Sequence, residues 1–130
     1  MNTLPELLDF TVSTLQKSTL VVNVRVLETF QFSESQFAFK VRSELVSGNV
    51  LQVRLYRNGE HNDYAFQLFR DDAPLIRWDN KEHFPDIPTH PHHFHNADGK
   101  VESSSMIGEP SHDLPIVLDH IASHVTRSSD

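Results

Sequence analysis

The sequence predicts an α+β fold: a five-stranded antiparallel meander sheet with an N-terminal and a C-terminal helix packed on one face, and a long His/Pro-rich loop after the last strand. Three observations predict it. A helix-start signature opens the chain, a series of period-two alternations joined by turn-forming residues follows, and a second helical apolar pattern closes it. A length of 130 residues allows one packed core and not two, so a single domain over residues 1–130 is expected.

Thr3-Leu4-Pro5-Glu6 has the form of a capping box, with proline in the first turn where its missing N–H costs nothing. Leu4, Leu7, Leu8, Val12 and Leu15 then recur at helical steps, and the helix should stop near Ser18. From Thr19 to Phe30 the period changes to two, with Leu20, Val22, Val24 and Val26 on one face and Asn23 and Arg25 on the other. Gln36 to Val46 alternates Phe37, Phe39, Val41 and Leu45 against Lys40, Arg42 and Glu44, and Ser47-Gly48-Asn49 supplies a turn. Val50 to Arg57 places Leu51, Val53 and Leu55 inward and ends at the turn pair Asn58-Gly59. Tyr64 to Arg70 is the fourth strand, and Asp71 to Pro74 turns the chain into the fifth, Leu75 to Asn80. Short connections throughout make the order a meander, with one dry face and one wet face. After the histidine run, Ala97 to Lys100 reads as a turn and Val101 to Gly108 as a loop with a short strand at its start. Asp113 is placed as the N-cap of a last helix carrying Leu114, Val117, Leu118, Ile121 and Val125, with Thr126 to Asp130 fraying.

Hydrophobic content of 38% and charged content of 22% belong to ordinary globular proteins. No apolar run approaches a membrane span, so no membrane association and a cytoplasmic location are expected. With no cysteine, disulfides and thiolate zinc sites are excluded, and any metal would be held by imidazole and carboxylate. The net charge of -7 argues against nonspecific nucleic-acid binding without excluding a local basic patch. Arg25, Lys40, Arg42 and Arg54 fall on the wet face of the expected sheet. They are either solvated surface or a groove for a phosphate backbone.

Five of the nine histidines lie in the run Arg77 to His95, among Pro85, Pro88 and Pro91. Such a run holds neither helical nor strand periodicity for long and reads as a proline-stiffened loop leaving a strand end, where chemistry is commonly placed. Three readings stay open. His90, His92 and His95 could converge on a metal, with Asp79 adding a carboxylate. Alternate residues of an extended segment share a side, however, so His93 and His95 pair while His90 and His92 form a different pair. Alternatively one or two imidazoles act as general acid and base, tuned by Asp79 beside Arg77, which suits metal-independent phosphodiester cleavage. In the third reading the imidazoles bond the carbonyls of a loop with few other partners. For His61, His112, His120 and His124 the structural role is expected.

At this point the sequence resembles the TumE-type toxin family of bacterial toxin–antitoxin pairs. The resemblance is carried by Arg77-Trp78-Asp79-Asn80, by His83 followed by Phe84 where a second histidine is common, and by Pro91-His92-His93-Phe94-His95, with Phe94 where lysine is frequent. Tyr64-Ala65-Phe66-Gln67-Leu68 is similar to the family's aromatic strand, with Gln67 in place of a frequent histidine. The resemblance implies a small intracellular toxin bound and silenced by a cognate antitoxin. Together with the acid–base reading of the histidine run, the expectation is a metal-independent ribonuclease with no cofactor, using His92, His93 or His95 as acid and base, Arg77 on the phosphate, and Asp79 and His83 to orient them. RNA is then a partner, and pairing with a second copy of the chain is left open. The rival classes are a protein-binding module acting by contact alone and a His-ligated metal-dependent hydrolase.

Overall fold

The computed structural model describes residues 1–124. Thr3 caps α1 (Leu4–Lys17) as its sequence suggests: its hydroxyl accepts from the Glu6 N–H, and the Glu6 carboxylate accepts from the Thr3 N–H. The face that α1 buries is centred on Leu7, Thr11 and Leu15, with Leu4, Leu8 and Val12 partly covered beside it. Thr11 is admitted because its hydroxyl donates to the Leu7 carbonyl at 2.8 Å, which removes the cost of burying it.

The sheet is open, antiparallel throughout and strictly sequential: β1 (Val21–Ser33), β2 (Gln36–Leu45), β3 (Val50–Asn58), β4 (His61–Arg70), β5 (Ala73–Asp79), β6 (His93–His95) and β7 (Val101–Ser103). It therefore has seven strands where five were expected. The two additional strands span three residues each, too short for alternation to register. What makes them strands is pairing: β6 lies against β5, and β7 against β6. The loop expected after the last strand is thus a crossing between β5 and β6.

Phe37, Phe39, Val41, Leu51, Val53, Leu55, Phe66, Leu68, Ile76 and Trp78 point to one side and form a single core with Leu7 and Leu15 of α1 and Leu114, Val117 and Ile121 of α2 (Pro110–His124). Both helices cover the apolar face. The second helix begins ahead of the expected cap. Pro110 opens it, and Asp113, inside the first turn, sends its carboxylate back to accept the Ile107 and Gly108 N–H groups at 3.0 and 2.8 Å. Val125 and the tail from Thr126 lie outside the described residues.

The first strand departs from expectation. Val24 is partly covered by the core, but Val22 and Val26 are 62% and 45% exposed. Pairing with β2 breaks register at Val22, at Leu27 and at Phe32, and each break re-aims the residues after it. Among the described residues no helix is long and apolar enough to cross a membrane.

Register organises the outer, helix-free face into rows. Consecutive cross-strand partners run Glu28, Lys40, Arg54, Ala65, Asp79, His93, and beside them Arg25, Arg42, Gln52, Gln67, Arg77, His95. Directly opposed residues share a face, so the basic residues and the polar end of the histidine run sit on one surface.

Candidate functional site

Strand alternation builds the site. In β5, Trp78 turns inward while Arg77 and Asp79 turn outward, and in β6 Phe94 turns inward while His93 and His95 turn outward. On the core side the Trp78 and Phe94 rings meet at 4.7 Å, which clamps the two strands together. On the outer side Asp79 stands opposite His93, and Arg77 opposite His95.

Asp79 is the hub and is buried. Its Oδ2 accepts from the Arg77 Nε–H at 2.7 Å and its Oδ1 from the Lys81 backbone N–H at 2.9 Å. The same carboxylate lies 3.0 Å from His93 Nε2 and 3.6 Å from His95 Nε2. The two imidazoles approach each other at 3.1 Å between Nε2 atoms. His93 is 1% exposed and is anchored from behind by a bond from Nδ1 to the Pro91 carbonyl, while the His95 side chain is one-third open. Phe84 lies across both rings, at 4.8 Å from His93 and 5.7 Å from His95. Burial holds the His95 imidazole below its ordinary pKa, against an opposing pull from Asp79, so the ring favours its neutral form.

Arg77, Asp79, Lys81, His83, Phe84, His93 and His95 enclose a cavity of about 260 Å³. Arg77, Lys81 and His83 also border a larger cavity of about 870 Å³ that runs over the outer face between Phe30, Tyr56, Asp63 and Ala65. Arg54 lines that second cavity. Arg42 lies over the Phe69 ring at 5.2 Å and donates to Gln52, and Lys40 pairs with Glu28 at 3.3 Å, so these two cations are partly engaged.

The structure therefore gathers Arg77, Asp79, His83, His93 and His95 and leaves two of the expected residues elsewhere. His92 faces the opposite way, with Nδ1 2.9 Å from the Tyr64 hydroxyl, and burial lowers its pKa. His90 is exposed in the crossing loop. The metal set His90, His92 and His95 is not assembled. The three donors that do converge, all within 4.8 Å of one another, belong to Asp79, His93 and His95. The reason is the strand: position 92 has the parity of Phe94, and His90 precedes β6 altogether.

Sequence reasoning missed Lys81, whose backbone fixes Asp79, and Phe84, which reads as a missing histidine but covers the imidazole pair. It also missed the service of Asn80: its side chain accepts from the Tyr64 N–H at 3.1 Å and donates to the Asn62 carbonyl at 2.8 Å, locking the exit of β5 onto β4. Gln67 accepts from Arg77 Nη1 at 3.4 Å and so helps to aim the guanidinium. Of the outlying histidines, exposed His61 pairs with Asp63 at the border of the larger cavity, His112 pairs with Asp113, and His120 packs edge-on against Trp78 with His124 stacked on it.

No curated protein and no solved structure matches this chain. A family model described as Toxin TumE matches residues 11–125. That span takes in every strand, the Arg77 to Asn80 segment and the His92 to His95 segment, and the chain belongs to the TumE toxin family.

Proposed function

We propose that the chain is the toxin of a toxin–antitoxin pair and that it cleaves RNA at the centre formed by Arg77, Asp79, His93 and His95. The observation that supports this reading is the position of that centre, at the end of two cross-strand rows that carry Arg25, Lys40, Arg42 and Arg54 along the outer face. A cationic surface leading to a partly enclosed carboxylate–imidazole site suits a phosphodiester chain.

In this reading Arg77, held by Asp79 and Gln67, binds the scissile phosphate and stabilises charge that develops on it. His83 and His95 are the imidazoles that line the cavity and are not fully buried. One removes the proton of the RNA 2′-hydroxyl, the 2′-oxygen attacks phosphorus, and the other protonates the departing 5′-oxygen. The products are a 2′,3′-cyclic phosphate and a free 5′-hydroxyl, a balanced step that requires no metal-activated water. His93 is too enclosed to reach a substrate and serves to hold the centre. The cognate antitoxin and RNA are the proposed partners, and the cytoplasm the proposed location.

A module that acts by protein contact alone is the second reading, favoured by β1, whose outer edge is unpaired among the described residues and exposes Val22, Phe30 and Phe32. Antitoxin-free protein incubated with 5′-labelled RNA separates the two. Cyclic phosphate termini that become slower to appear by on the order of 100-fold in Arg77→Ala support the ribonuclease. Absence of cleavage, with toxicity retained by Arg77→Ala in cells, supports the contact reading instead.

A further inference from the structure

The buried His93 ring is committed at both of its nitrogens. The Pro91 carbonyl can only accept, so the His93 Nδ1 facing it at 3.0 Å carries the hydrogen. In the neutral ring Nε2 is then the nitrogen that carries the lone pair, in a side chain that is buried but lines the cavity of about 260 Å³. It points at the Asp79 carboxylate oxygen, another acceptor, at 3.0 Å, and at His95 Nε2 at 3.1 Å. Asp79 already accepts on both oxygens, from Arg77 and from the Lys81 N–H. A proton can bridge these atoms, from a His95 Nε2–H or on His93 itself, and a metal cation in its place would meet three donors at once.

We propose that Asp79, His93 and His95 bind a single divalent transition-metal cation, with its remaining coordination positions opening into the cavity beside Arg77 and His83. His93 Nε2 lies 3.0 Å from Asp79 Oδ1 and 3.1 Å from His95 Nε2, and His95 Nε2 lies 3.6 Å from the other carboxylate oxygen, Oδ2. Donors bonded to one metal at about 2.1 Å stand roughly 3.0–3.4 Å apart, so the two separations at His93 already fit and His95 has to close on the carboxylate by a small side-chain shift. Two imidazoles and one carboxylate with no thiolate select zinc, manganese or iron over calcium or magnesium. The bond from His93 Nδ1 to a backbone carbonyl is the outer contact that metal-ligating histidines usually make, and the Lys81 N–H does the same for Asp79. The one-third-open side of His95 gives the ion an entry path. With the ion bound, His95 is a ligand and no longer the second proton carrier: His83 would take the 2′-hydroxyl proton, and the ion would stabilise the departing 5′-oxygen in place of a protonated imidazole.

The inference concerns the centre proposed for RNA cleavage and rests on that reading only for what the ion would do, not for whether it binds. The test is calorimetric titration of the chelator-stripped, tag-free chain with zinc and, separately, manganese, alongside metal analysis of the dialysed protein. One equivalent is expected, with affinity reduced roughly 100-fold or more in His95→Ala and in His93→Gln and unchanged in the double variant His120→Ala/His124→Ala. His95→Ala removes a partly exposed ring and leaves the core untouched, so it remains folded by circular dichroism. No uptake by the wild type, or uptake that survives both ligand substitutions and is lost from the His120/His124 variant, overturns the proposal. Bound metal without RNA cleavage refutes the ribonuclease reading alone, and cleavage by metal-free protein with no uptake refutes this one alone.

Discussion

At the scale of single residues, the centre depends on side chains that do not themselves face a substrate. Asn80 joins β5 to β4 through two bonds, and its loss leaves the buried Tyr64 N–H and the Asn62 carbonyl without partners. Asn80→Ala should therefore lower stability by about 2 kcal/mol, read from the urea midpoint at unchanged slope. Asp113 does comparable work at the entry to α2, and Asp113→Ala should cost as much for the same reason. His120 makes a different prediction. Burial lowers its pKa, stacked His124 lowers it further, and Glu102 opposes them. A histidine with a lowered folded pKa favours folding fully above its unfolded pKa of about 6.5, and the contribution is lost as pH falls from there toward the folded value. Thermal midpoints measured from pH 7.5 to 5 should fall on acidification, and the fall should be shallower in His120→Gln.

At the scale of elements, the strands that could be read from the sequence were those long enough to alternate. β2, β3 and β4 show inward Phe37, Leu51 and Phe66 with their period-two companions, and α1 announces itself through Thr3 and Glu6. β6 was invisible because three residues hold no period and because its strand character comes from partners distant in the chain, whereas β7 falls where a short strand was expected at Val101. The candidate site divides in the same way. That Arg77 and Asp79 share a face, and that His93 and His95 share one, follows from parity alone. That the two pairs share the same face depends on the Trp78–Phe94 register, which no local signal states. His92 was kept among the acid and base candidates although its parity already set it apart from His93 and His95. The capping box offers a direct check on the legible part: Thr3→Ala should cost about 1 kcal/mol and nothing in RNA cleavage, since α1 lies across the core from the site.

At the scale of the whole molecule, a chain of net charge -7 presents a face where Arg25, Arg42, Arg54 and Arg77 are brought together by pairing. Segregation of this kind makes binding to a polyanion local and strongly dependent on salt. In Lys40→Gln/Arg54→Gln the slope of log affinity for single-stranded RNA against log salt should become shallower by roughly 0.7 for each contact removed. An unchanged slope would place the RNA on another surface.

The three register breaks in β1 bear on how such a molecule stays dispersed. The unpartnered residues Val22, Leu27 and Phe32 recur at five-residue intervals and all are large, apolar and exposed. Between them the ladder runs unbroken only over Asn23–Val26 and Glu28–Gln31. Stacking of identical segments into fibres favours uninterrupted stretches of about six residues or more, so each break shortens the template below what growth needs. Deleting Leu27 would fuse the two stretches, and light scattering of that variant at micromolar concentration should rise with time while the parent solution stays clear. The irregularity of the edge strand is thus what allows an apolar border to remain uncovered without becoming a seed.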